Sequence, residues 1–523
     1  MTSTHQIRSG PPAVVQLTPK KEYIGTLTKM TLGEKDSNME NKTILLVGET
    51  KTGKSTLINT FFNYTKRDDE VWYEIVENDR EESESKSHTS DVIVYQIFGS
   101  LPYSLTIIDT PGYGDTKGTE KDDRISQKLL DLFSSVDGVH EINVVGLVLK
   151  ASENRLNDQL RYIFDSAVSL FGKDMENNIV ALLTHSDGLT PENALKALNA
   201  ANIKCAKNTE NEPVHFLFNT SQHEERMEGT KAAEQAKQTT TEGMKMFLEF
   251  LGKTQPQKVE ITVKVLNERI RLTACIKNLQ ERVELIELQQ REIQQTQEKL
   301  KKHEEEMKSN KNFTIEVDES YKEKEPMKGK GGRWLLVFYA GVVSCNKCEE
   351  NCHFPGCTMA WHPKDCEVMK RGKCTACSGK CPASDHVKEE MQYVFKTRTV
   401  QKTLQDVKDK FESSKSDLEK STSILKDLEM EMGELEKDKD QWLEESFKHV
   451  LDLEKIALNV DSLSTHVHLD FLIEKMKEKG DTEKVQKLEK MKSRMDEGIR
   501  AGPRYMLEKI KASLTSYCKK DKP

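Results

Sequence analysis

The chain has 523 residues, of which 36% are hydrophobic, 32% charged and 6% aromatic, and its formal net charge is -8. This length exceeds what one hydrophobic core usually serves and predicts about two to four structural units. The low hydrophobic and aromatic content is typical of globular parts joined to long polar helices. The negative charge argues against nonspecific nucleic-acid binding by the whole chain, because phosphate contacts need a basic surface.

Neither end of the chain carries a pattern for membrane insertion or lipid attachment. The N-terminal sequence MTSTHQIRSGPP lacks the apolar core of a signal peptide, Thr2 excludes N-myristoylation, and Cys518 is too far from the C-terminus for prenylation. The longest apolar stretch, Trp334 to Val343, is about half of the roughly 20 residues that a transmembrane helix needs. We expect no transmembrane segment, a cytoplasmic location, and cysteines that bind metal rather than form disulfides.

The first half of the chain reads as a polar lead followed by an α/β domain. We expect residues 1–42 to be a flexible N-terminal lead. Over residues 43–253, short β-branched runs alternate with helical patterns, which predicts a mostly parallel sheet flanked by helices. The second and third predicted strands are close enough in sequence to form an antiparallel hairpin. The predicted strands are Thr43–Val47, Asp91–Phe98, Ser104–Ile108, Asn143–Leu149, Ile179–Leu183 and Val214–Phe218.

The second half reads as long helices interrupted by a cysteine-rich segment. Apolar residues at alternating spacings of three and four predict coiled-coil arms at 257–310 and 397–445. The cysteine-rich segment with flanking strands lies between them at 311–396, and a helical C-terminal region follows at 446–523. We expect the arms to fold back on each other as an antiparallel hairpin with the cysteine module at its far end. The alternative is two amphipathic helices packed on the nucleotide domain.

A phosphate-binding motif follows the first predicted strand. The sequence GETKTGKS at residues 48–55 matches GxxxxGK(S/T) and precedes a helical run. In this motif the glycines let backbone N–H groups surround phosphate oxygens, Lys54 reaches the β- and γ-phosphates, and Ser55 offers its hydroxyl to Mg²⁺. The predicted phosphate-binding residues are Gly48, Glu49, Thr50, Lys51, Thr52, Gly53, Lys54, Ser55 and Thr56.

A second motif, DTPG, follows the third predicted strand. Asp109 is predicted to hold Mg²⁺ through water, and Gly112 to offer its N–H to the γ-phosphate. Thr89, upstream of the hairpin, is predicted to complete the Mg²⁺ shell, with an ordinary solvated loop as the alternative. Tyr113 stands where Ras-type proteins have the glutamine that orients the attacking water, so we expect slow intrinsic hydrolysis.

A third motif is predicted to contact the base. The sequence THSD, residues 184–187, stands where guanine-specific proteins carry (N/T)KxD. Asp187 is predicted to accept hydrogen bonds from the guanine N1 and N2 groups, which adenine cannot supply. His185 replaces the usual lysine and changes the packing against the base. The predicted nucleotide-binding set therefore also contains Thr184, Asp187 and Asn219, although a simple loop turn is an equal alternative for Asn219.

The order of these motifs resembles the septin-like and immune-associated (GIMAP, AIG-type) branch of P-loop GTPases, which includes relatives of chloroplast-import receptors. The resemblance covers roughly residues 43–253 and rests on GETKTGKST, SHTSDVIVY, DTPGYGD, LLTHSDG and FLFNTS. It implies an α/β P-loop GTPase fold, GTP or GDP with Mg²⁺, and self-association through the GTPase domain. The chain also looks like large eukaryotic proteins that join such a domain to coiled coil and a Cys/His-rich module.

The cysteine-rich segment holds eight of the eleven cysteines within 37 residues. A CxxC turn places two thiolates at one tetrahedral ion, and the donors suffice for two closed four-ligand sites. Mixed Cys and His donors favour structural zinc over disulfides or an iron–sulfur cluster. Six Lys/Arg against five Asp/Glu favour a structural or protein-contact role over nucleic-acid binding. The predicted zinc ligands are Cys345, Cys348, Cys352, His353, Cys357, His362, Cys366, Cys374, Cys377, Cys381 and His386.

Two functions are consistent with these patterns. One is a slow GTPase that works as a self-associating switch, with the coiled-coil and zinc arm contacting a protein partner. The other is a nucleotide-bound scaffold that does not hydrolyse GTP and whose helical arm mediates protein interactions. Lys117 and Arg124 are candidates for a group supplied across a subunit interface, with a solvated charged loop as the alternative.

Overall fold

The protein is described by a computed structural model over residues 3–9, 12–25, 27–36, 38–66, 70–75, 91–111, 119–153, 158–219, 230–302, 314–326, 341–357, 360, 362–403, 423–459 and 463–499. These residues form two compact units, one drawn from Met1–Asn267, Leu453–Ile473 and Asp481–Pro523, the other from Glu268–Asp452 and Glu474–Gly480. Within the described ranges, no helix is long and apolar enough to cross a bilayer.

Strands and helices alternate through the first half of the chain. In order they are β1 (Ser3–Arg8), β2 (Ala13–Thr18), β3 (Lys20–Ile24), β4 (Leu27–Leu32), β5 (Asn41–Gly48), α1 (Lys54–Lys66), β6 (Val71–Glu74), β7 (Ile93–Ile97), β8 (Ser104–Asp109), α2 (Thr119–Ser134), β9 (Glu141–Ile142), β10 (Val144–Lys150), α3 (Asp158–Val168), β11 (Ile179–Thr184), α4 (Glu192–Ala200), β12 (His215–Leu217), α5 (Lys231–Lys253) and β13 (Gln257–Lys258).

Long helices bracket short strands in the second half. In order they are α6 (Glu260–Lys302), β14 (Thr314–Pro326), β15 (Gly341–Cys345), β16 (Glu350–Cys357), β17 (Met369–Lys370), β18 (Lys373–Cys374), β19 (His386–Glu389), β20 (Met391–Thr403), α7 (Ser423–Ile456), α8 (Leu463–Lys479) and α9 (Thr482–Ile499). Short 3₁₀ helices lie at Lys173–Asn178, Pro363–Asp365 and Ala383–Asp385.

The main sheet has eight strands in the order β12-β11-β10-β5-β8-β7-β4-β3. The five strands from β12 to β8 pair in parallel, and β7 pairs antiparallel with β8. Every residue of β8 and β11 is buried, as expected for parallel strands covered on both faces. The predicted α/β P-loop fold with a mostly parallel sheet and an antiparallel hairpin strand is confirmed. The carboxyl ends of its central strands meet at one edge.

The N-terminal lead forms strands, so the prediction of a flexible segment over residues 1–42 was wrong. Strand β4 pairs in parallel with β7 and β3 pairs antiparallel with β4, while β1, β2 and β6 form a separate sheet. Val14, Leu27 and Leu32 are buried. Lysine and threonine residues separate these few apolar positions, so no sustained alternation marked the strands.

Aromatic side chains join α1 and α5 to the end of the sheet. The ring of Phe61 on α1 lies 5.4 Å from that of Phe247 on α5 and 6.4 Å from that of Phe218 after β12, measured between centroids. All three side chains are buried. Each such pair contributes about 0.5 to 1.5 kcal/mol beyond area burial. This packing fixes the phosphate-loop helix relative to the loop that follows β12.

The helices α6 and α7 run antiparallel in the second unit. Glu268 on α6 lies 3.0 Å from the His449 ring nitrogen of α7, whereas Arg282, further along α6, lies over the Trp442 ring at 3.7 Å. Burial opposes ionisation of Glu268, but hydrogen bonding to His449 and the charge of Arg271 outweigh it and hold its pKa at about 2. The two helices therefore pair as an antiparallel hairpin would require.

The cysteine-rich segment packs along α6 rather than at the far end of the arms, which corrects that expectation. Asn278 donates to the carbonyl of Ala376 at 3.1 Å, and Arg282 forms a 2.6 Å ion pair with Glu350. A stripe of apolar residues cannot reveal whether its partner is a helix or a small module. The buried α6 residues include Leu272, Ile276, Leu279, Val283, Ile286 and Ile293.

The boundaries of the second arm also differ from the prediction at 397–445. Residues 397–403 belong to β20, which pairs antiparallel with β14 along their whole length. Residues 404–422 lie outside the described residues. Helix α7 then runs from Ser423 to Ile456, past the predicted end. The strand extends further than its apolar residues because charged side chains pair across it, such as Glu319 with Arg398 at 2.8 Å.

Candidate functional site

The phosphate loop connects β5 to α1 at the carboxyl edge of the main sheet. Lys51 and Gly53 have positive φ values of 66° and 92°, which turn the loop back before the helix. A Cβ at Gly48 would collide with the carbonyl oxygen of Val148, so only glycine fits there. The loop thus takes the tight turn into a helix N-terminus that phosphate binding requires. Glu49, Thr50 and Thr52 lie in this turn, and Ser55 and Thr56 lie in the first turn of α1.

Lys54 is buried inside the phosphate loop. Its Nζ donates to the carbonyl oxygens of Gly48 and Glu49, both at 2.9 Å. Burial and the nearby charge of Glu153 raise the pKa of the half-buried Glu49 carboxyl. The ammonium group therefore lies among the loop carbonyls, beside the position that the motif assigns to phosphate.

Asp109 lies at the end of β8, directly beside the strand that leads into the phosphate loop. It pairs in register with Leu46 of β5 and is fully buried. Thr110 donates its hydroxyl to the Leu46 carbonyl at 2.8 Å. Burial and the charge of Asp109 raise the pKa of Tyr95 on β7 above its usual value. An acidic side chain is thus placed next to the loop, as a Mg²⁺ ligand would need to be.

Thr184, Asp187 and Asn219 come together at the same edge. Thr184 donates its hydroxyl to the carbonyl of Thr52 at 2.7 Å, which ties the end of β11 to the phosphate loop. Asn219 donates its side-chain amide to the Ser186 carbonyl at 2.8 Å. Asp187 is exposed, and its Oδ1 accepts from the amide two residues later at 3.0 Å. The predicted base-contact residues therefore lie at the same sheet edge as the phosphate loop, to which Thr184 is hydrogen-bonded.

Helix α5 supplies positioning residues that the sequence analysis missed. The Thr240 hydroxyl accepts a hydrogen bond from the backbone N–H of Asn219 at 3.0 Å and donates one to the backbone carbonyl of Asn219 at 2.6 Å. Gln235 donates to the Asp187 carbonyl at 3.1 Å. His185 takes a left-handed conformation with φ 53° and is exposed. A threonine in a polar helix gives no sequence signal of this role, because only the packing of α5 brings it to the loop.

Several predicted residues cannot be placed relative to this site. Thr89, Gly112, Tyr113 and Lys117 lie outside the described residues. Arg124 lies within α2, but its side chain also lies outside the described part of the structure. Their predicted roles in Mg²⁺ binding, phosphate contact and hydrolysis stay predictions.

Sequence comparison shows which protein family the domain with this site resembles. Residues 39–133 match the sequence profile of the family described as Septin. The chain is 27% identical over 186 residues to septin-4 from Rattus norvegicus and Homo sapiens, and 27% identical over 180 residues to neuronal-specific septin-3 from Danio rerio. The chain carries a septin-like P-loop GTPase domain. The matches cover 31 to 33% of this chain, and 38%, 37% and 48% of the three relatives, in that order.

Solved structures with some similarity to part of this chain include Toc33 from Arabidopsis thaliana. Its complex with GDP and Mg²⁺ and its complex with Mg²⁺ and GMPPNP each align over 42% of this chain and 88% of Toc33. Both alignments have 14% sequence identity and a TM-score of 0.29. That score is too low to carry a conclusion about ligand or assembly.

The cysteine-rich segment gathers donor side chains into three groups, each with its donor atoms within 4.8 Å of one another. We call them the four-cysteine group (Cys345, Cys348, Cys377, Cys381), the His386 group (Cys352, Cys374, Cys377, His386) and the Glu367 group (His353, Cys357, Cys366, Glu367). The described cysteines form no disulfide. His362 is exposed and belongs to none of the groups, which corrects its prediction as a ligand. It is the residue that precedes the 3₁₀ turn Pro363–Asp365.

The four-cysteine group is built from two turns of the backbone. Cys348 lies in the turn between β15 and β16, and its amide donates to the Cys345 sulfur at 3.4 Å. The amide of Cys381 donates to the Cys377 sulfur at 3.2 Å, and the Cys348 and Cys381 sulfur atoms are 3.5 Å apart. Backbone N–H groups aimed at sulfur stabilise thiolates, which are the metal-binding form of cysteine.

The His386 group joins β19 to the hairpin of β17 and β18. The His386 Nδ1 lies 2.9 Å from the Pro382 carbonyl, while its Nε2 is buried beside the group's thiols and meets no hydrogen-bond geometry among the described residues. Burial opposes protonation of the ring, but the nearby Cys374 and Cys377 thiols outweigh it and raise the His386 pKa to about 10. A ring nitrogen left open beside thiols, with the other nitrogen on a carbonyl, is the arrangement of a metal-bound histidine.

The Glu367 group contains a ligand candidate that the sequence analysis missed. The His353 Nδ1 lies 3.2 Å from the Cys366 sulfur and 3.3 Å from the Glu367 carboxylate. Burial opposes protonation of His353, but hydrogen bonding to Cys357 and Glu367 raises its pKa to about 9. The only sequence signal for Glu367 is its position next to a clustered cysteine. The raised pKa of His353 reflects the negative charge of Glu367 and the Cys357 thiol beside its ring.

Proposed function

We propose that this protein binds GTP and GDP with Mg²⁺ through its septin-like domain, and that it is a slow GTPase which acts as a self-associating switch. The observation that carries the proposal is the convergence of the phosphate loop, Asp109 and the Thr184–Asp187 loop at one carboxyl edge of the sheet. Open α/β sheets bind their ligands at such an edge. The hydrogen bond from Thr184 to Thr52 supports the proposal further, because it links the phosphate loop to the strand end that leads into the base loop.

The residues at this edge of the sheet would each contact a different part of the nucleotide or its Mg²⁺. Lys54 would contact the β- and γ-phosphates, and Ser55 and Asp109 would hold Mg²⁺, which supplies neutralising charge to the phosphates when bound. Asp187 would accept hydrogen bonds from the guanine edge. Asn219, held on α5 through Thr240, would position the backbone of this base loop.

Guanine selectivity depends on Asp187, so the substitution Asp187→Ala should weaken GTP binding while changing ATP binding little. Loss of hydrogen bonds to a charged group costs about 1.5 to 3 kcal/mol, or about ten- to a hundredfold in affinity. Displacement of a fluorescent guanine nucleotide from the protein by GTP and by ATP measures the ratio of the two affinities. Asp137→Ala, at an exposed aspartate between α2 and β9, is the matched control and should leave the ratio unchanged. Equal affinity of the unaltered protein for GTP and ATP contradicts the guanine assignment.

We further propose that the second unit is a protein-interaction arm whose fold is stabilised by zinc. Support comes from the burial of cysteine side chains in a small cluster with few aliphatic residues, including Val343 and Val368. Such a core is too small to be stable without another source of cohesion. Mixed thiolate, imidazole and carboxylate donors in closed sets of four suit structural zinc. The coiled-coil character of the helices and the identity of the partner belong to the same proposal.

Gly379 gives a test of metal binding that does not remove a ligand. A Cβ at this position would lie 2.8 Å from the Cys381 sulfur and 3.2 Å from the Cys348 sulfur. Gly379→Ala should therefore weaken the free energy of metal binding by about 1 to 3 kcal/mol, because the added methyl group overpacks the site. Competition with a chromophoric zinc chelator measures this, with Gly433→Ala as the control. Gly433 lies in α7 with nothing within 4 Å of an added Cβ, so its substitution should be neutral or stabilising. Equal zinc retention by both variants would count against the metal site.

Tyr113 replaces the glutamine that is usual at its position, and this replacement favours a second candidate function. In this second function the protein is a nucleotide-bound scaffold that does not hydrolyse GTP. Lys54, Ser55 and Asp109 support nucleotide binding under both hypotheses. Steady-state phosphate release separates them, because the scaffold binds GTP without releasing phosphate at any protein concentration.

A further inference from the structure

We propose that the cysteine-rich segment holds three divalent metal ions, two that share the Cys377 thiolate and a third held separately by the Glu367 group. The inference rests on the proposed metal binding of this segment and specifies its stoichiometry and ligand partition. It differs from the expectation of two separate four-ligand sites, because the described donors form three groups and one thiol belongs to two of them.

The third ion follows from the distances in the Glu367 group. A tetrahedral ion with metal–sulfur bonds of about 2.3 Å and metal–nitrogen or metal–oxygen bonds of about 2.0 to 2.2 Å places its donors roughly 3.3 to 3.8 Å apart. The Cys357 and Cys366 sulfur atoms are 3.8 Å apart, and the Cys366 sulfur lies 3.5 Å from Glu367. The His353 Nδ1 lies 3.2 Å from the Cys366 sulfur and 3.3 Å from Glu367. These four edges are close to those of one tetrahedral ion, and the two edges from Cys357 to His353 and Glu367 are within 4.8 Å.

The burial of this group also favours a bound ion. The His353 and Glu367 side chains are only 9% and 8% exposed, beside two buried thiols. Burying a carboxylate next to thiols is costly unless a cation neutralises them. A protonated His353 paired with Glu367 is the competing arrangement, in which the two thiols make only hydrogen bonds within the group. A bound ion satisfies all four side chains at once.

The shared thiolate follows from the number of donors in the other two groups. Together they contain seven side chains, since Cys377 is counted in both. Two four-coordinate ions need eight coordination positions, and a bridging thiolate supplies the eighth. Among the described residues the buried Nε2 of His386 makes no hydrogen bond, and an ion in its group would satisfy it. The four thiols of the neighbouring group are likewise enclosed, with Cys348 and Cys381 sulfur atoms 3.5 Å apart.

The donor chemistry selects the class of ion. Six thiols and one imidazole surround the bridged pair, and two thiols, an imidazole and a carboxylate surround the third. Borderline-soft ions that accept tetrahedral geometry, above all Zn²⁺, suit both sets, whereas Mg²⁺ and Ca²⁺ require oxygen donors. The third site, with its carboxylate, should bind zinc less tightly than the thiolate-rich pair.

The test is made on the full chain in two measurements. Elemental analysis of the purified protein should give three zinc ions per chain. Cadmium NMR after exchange with a spin-active cadmium isotope should give three resonances, because the three sites differ in their number of thiolate ligands. Two of the resonances should be split by mutual coupling through the Cys377 sulfur, and the third should be unsplit. Both measurements use the unaltered protein, so neither depends on the folding of a variant.

Two substitutions then locate the third ion. Glu367→Gln should lower the content from three ions to two and remove the unsplit cadmium resonance. His362→Ala, which changes an exposed histidine outside the groups, should retain three ions. Two ions in the unaltered protein would overturn the third site, and three unsplit resonances would overturn the bridge. Protein without metal would refute the zinc proposal itself, which distinguishes that failure from failure of this inference.

Discussion

Replacement of Lys54 by alanine should abolish guanine-nucleotide binding, with a loss of at least about a hundredfold in affinity. The ammonium group is already placed inside the phosphate loop, 2.9 Å from each of two loop carbonyls. It would contact both the β- and the γ-phosphate, and each hydrogen bond to a charged group contributes about 1.5 to 3 kcal/mol. Two such contacts amount to about 3 kcal/mol or more, which corresponds to about two orders of magnitude in affinity.

Isothermal titration with GDP and with a non-hydrolysable GTP analogue measures this loss. Lys66→Ala is the matched control, because Lys66 is an exposed lysine at the other end of the same helix. Circular dichroism of Lys54→Ala shows whether the domain stays folded, since removal of Lys54 also frees the carbonyls of Gly48 and Glu49. Unchanged affinity in a folded Lys54→Ala protein would place the nucleotide elsewhere and remove the basis of the proposed function.

The convergence of the phosphate loop, Asp109 and Thr184 at one edge of the sheet could be predicted because these residues lie in short contiguous motifs. Residues 48–56 carry the strand end, the turn and the helix start in order, so the motif specifies its own local structure. Asp109 could be placed beside it because adjacent parallel strands bring their carboxyl ends to one edge. The contribution of Thr240 could not be predicted, because it depends on how α5 packs after the chain has crossed the sheet.

The edges of the fold were harder to predict than its centre. Central strands such as β8 and β11 are buried on both faces and give continuous apolar runs. Strands β3 and β4 lie at the edge of the same sheet, where one or two buried aliphatic residues suffice and most other positions are polar. The burial pattern that a strand imposes on its sequence is therefore strongest where the strand has neighbours on both sides.

The cysteine-rich segment shows a different limit. Clustered cysteines predicted metal ligands, but their grouping depends on which turns face each other across the small sheet of β16, β15 and β19. His353 follows Cys352 directly in the sequence, yet the two residues belong to different groups because successive side chains of a strand point to opposite faces. Sequence spacing alone therefore could not assign ligands to ions.

GTP hydrolysis should be concentration dependent, with specific activity rising as the protein associates. Tyr113 occupies the place of the glutamine that orients the attacking water in Ras-type proteins, so one subunit alone leaves the water without its usual partner. A charged group supplied by a second subunit can increase the rate by about 10³ to 10⁵. We therefore expect the associated protein to account for nearly all of the phosphate released.

Phosphate release measured across about a hundredfold range of protein concentration, together with mass by light scattering, tests this dependence. Lys117→Ala and Arg124→Ala ask whether either candidate is the group supplied in trans. A true donor lowers the activity of the associated protein and leaves nucleotide affinity and mass unchanged, whereas a surface charge with no role alters none of the three. A flat but measurable specific activity would mean that each subunit hydrolyses GTP alone. No phosphate release at any concentration, with nucleotide still bound, would instead identify the protein as a nucleotide-bound scaffold, because Lys54, Ser55 and Asp109 would then serve binding without turnover.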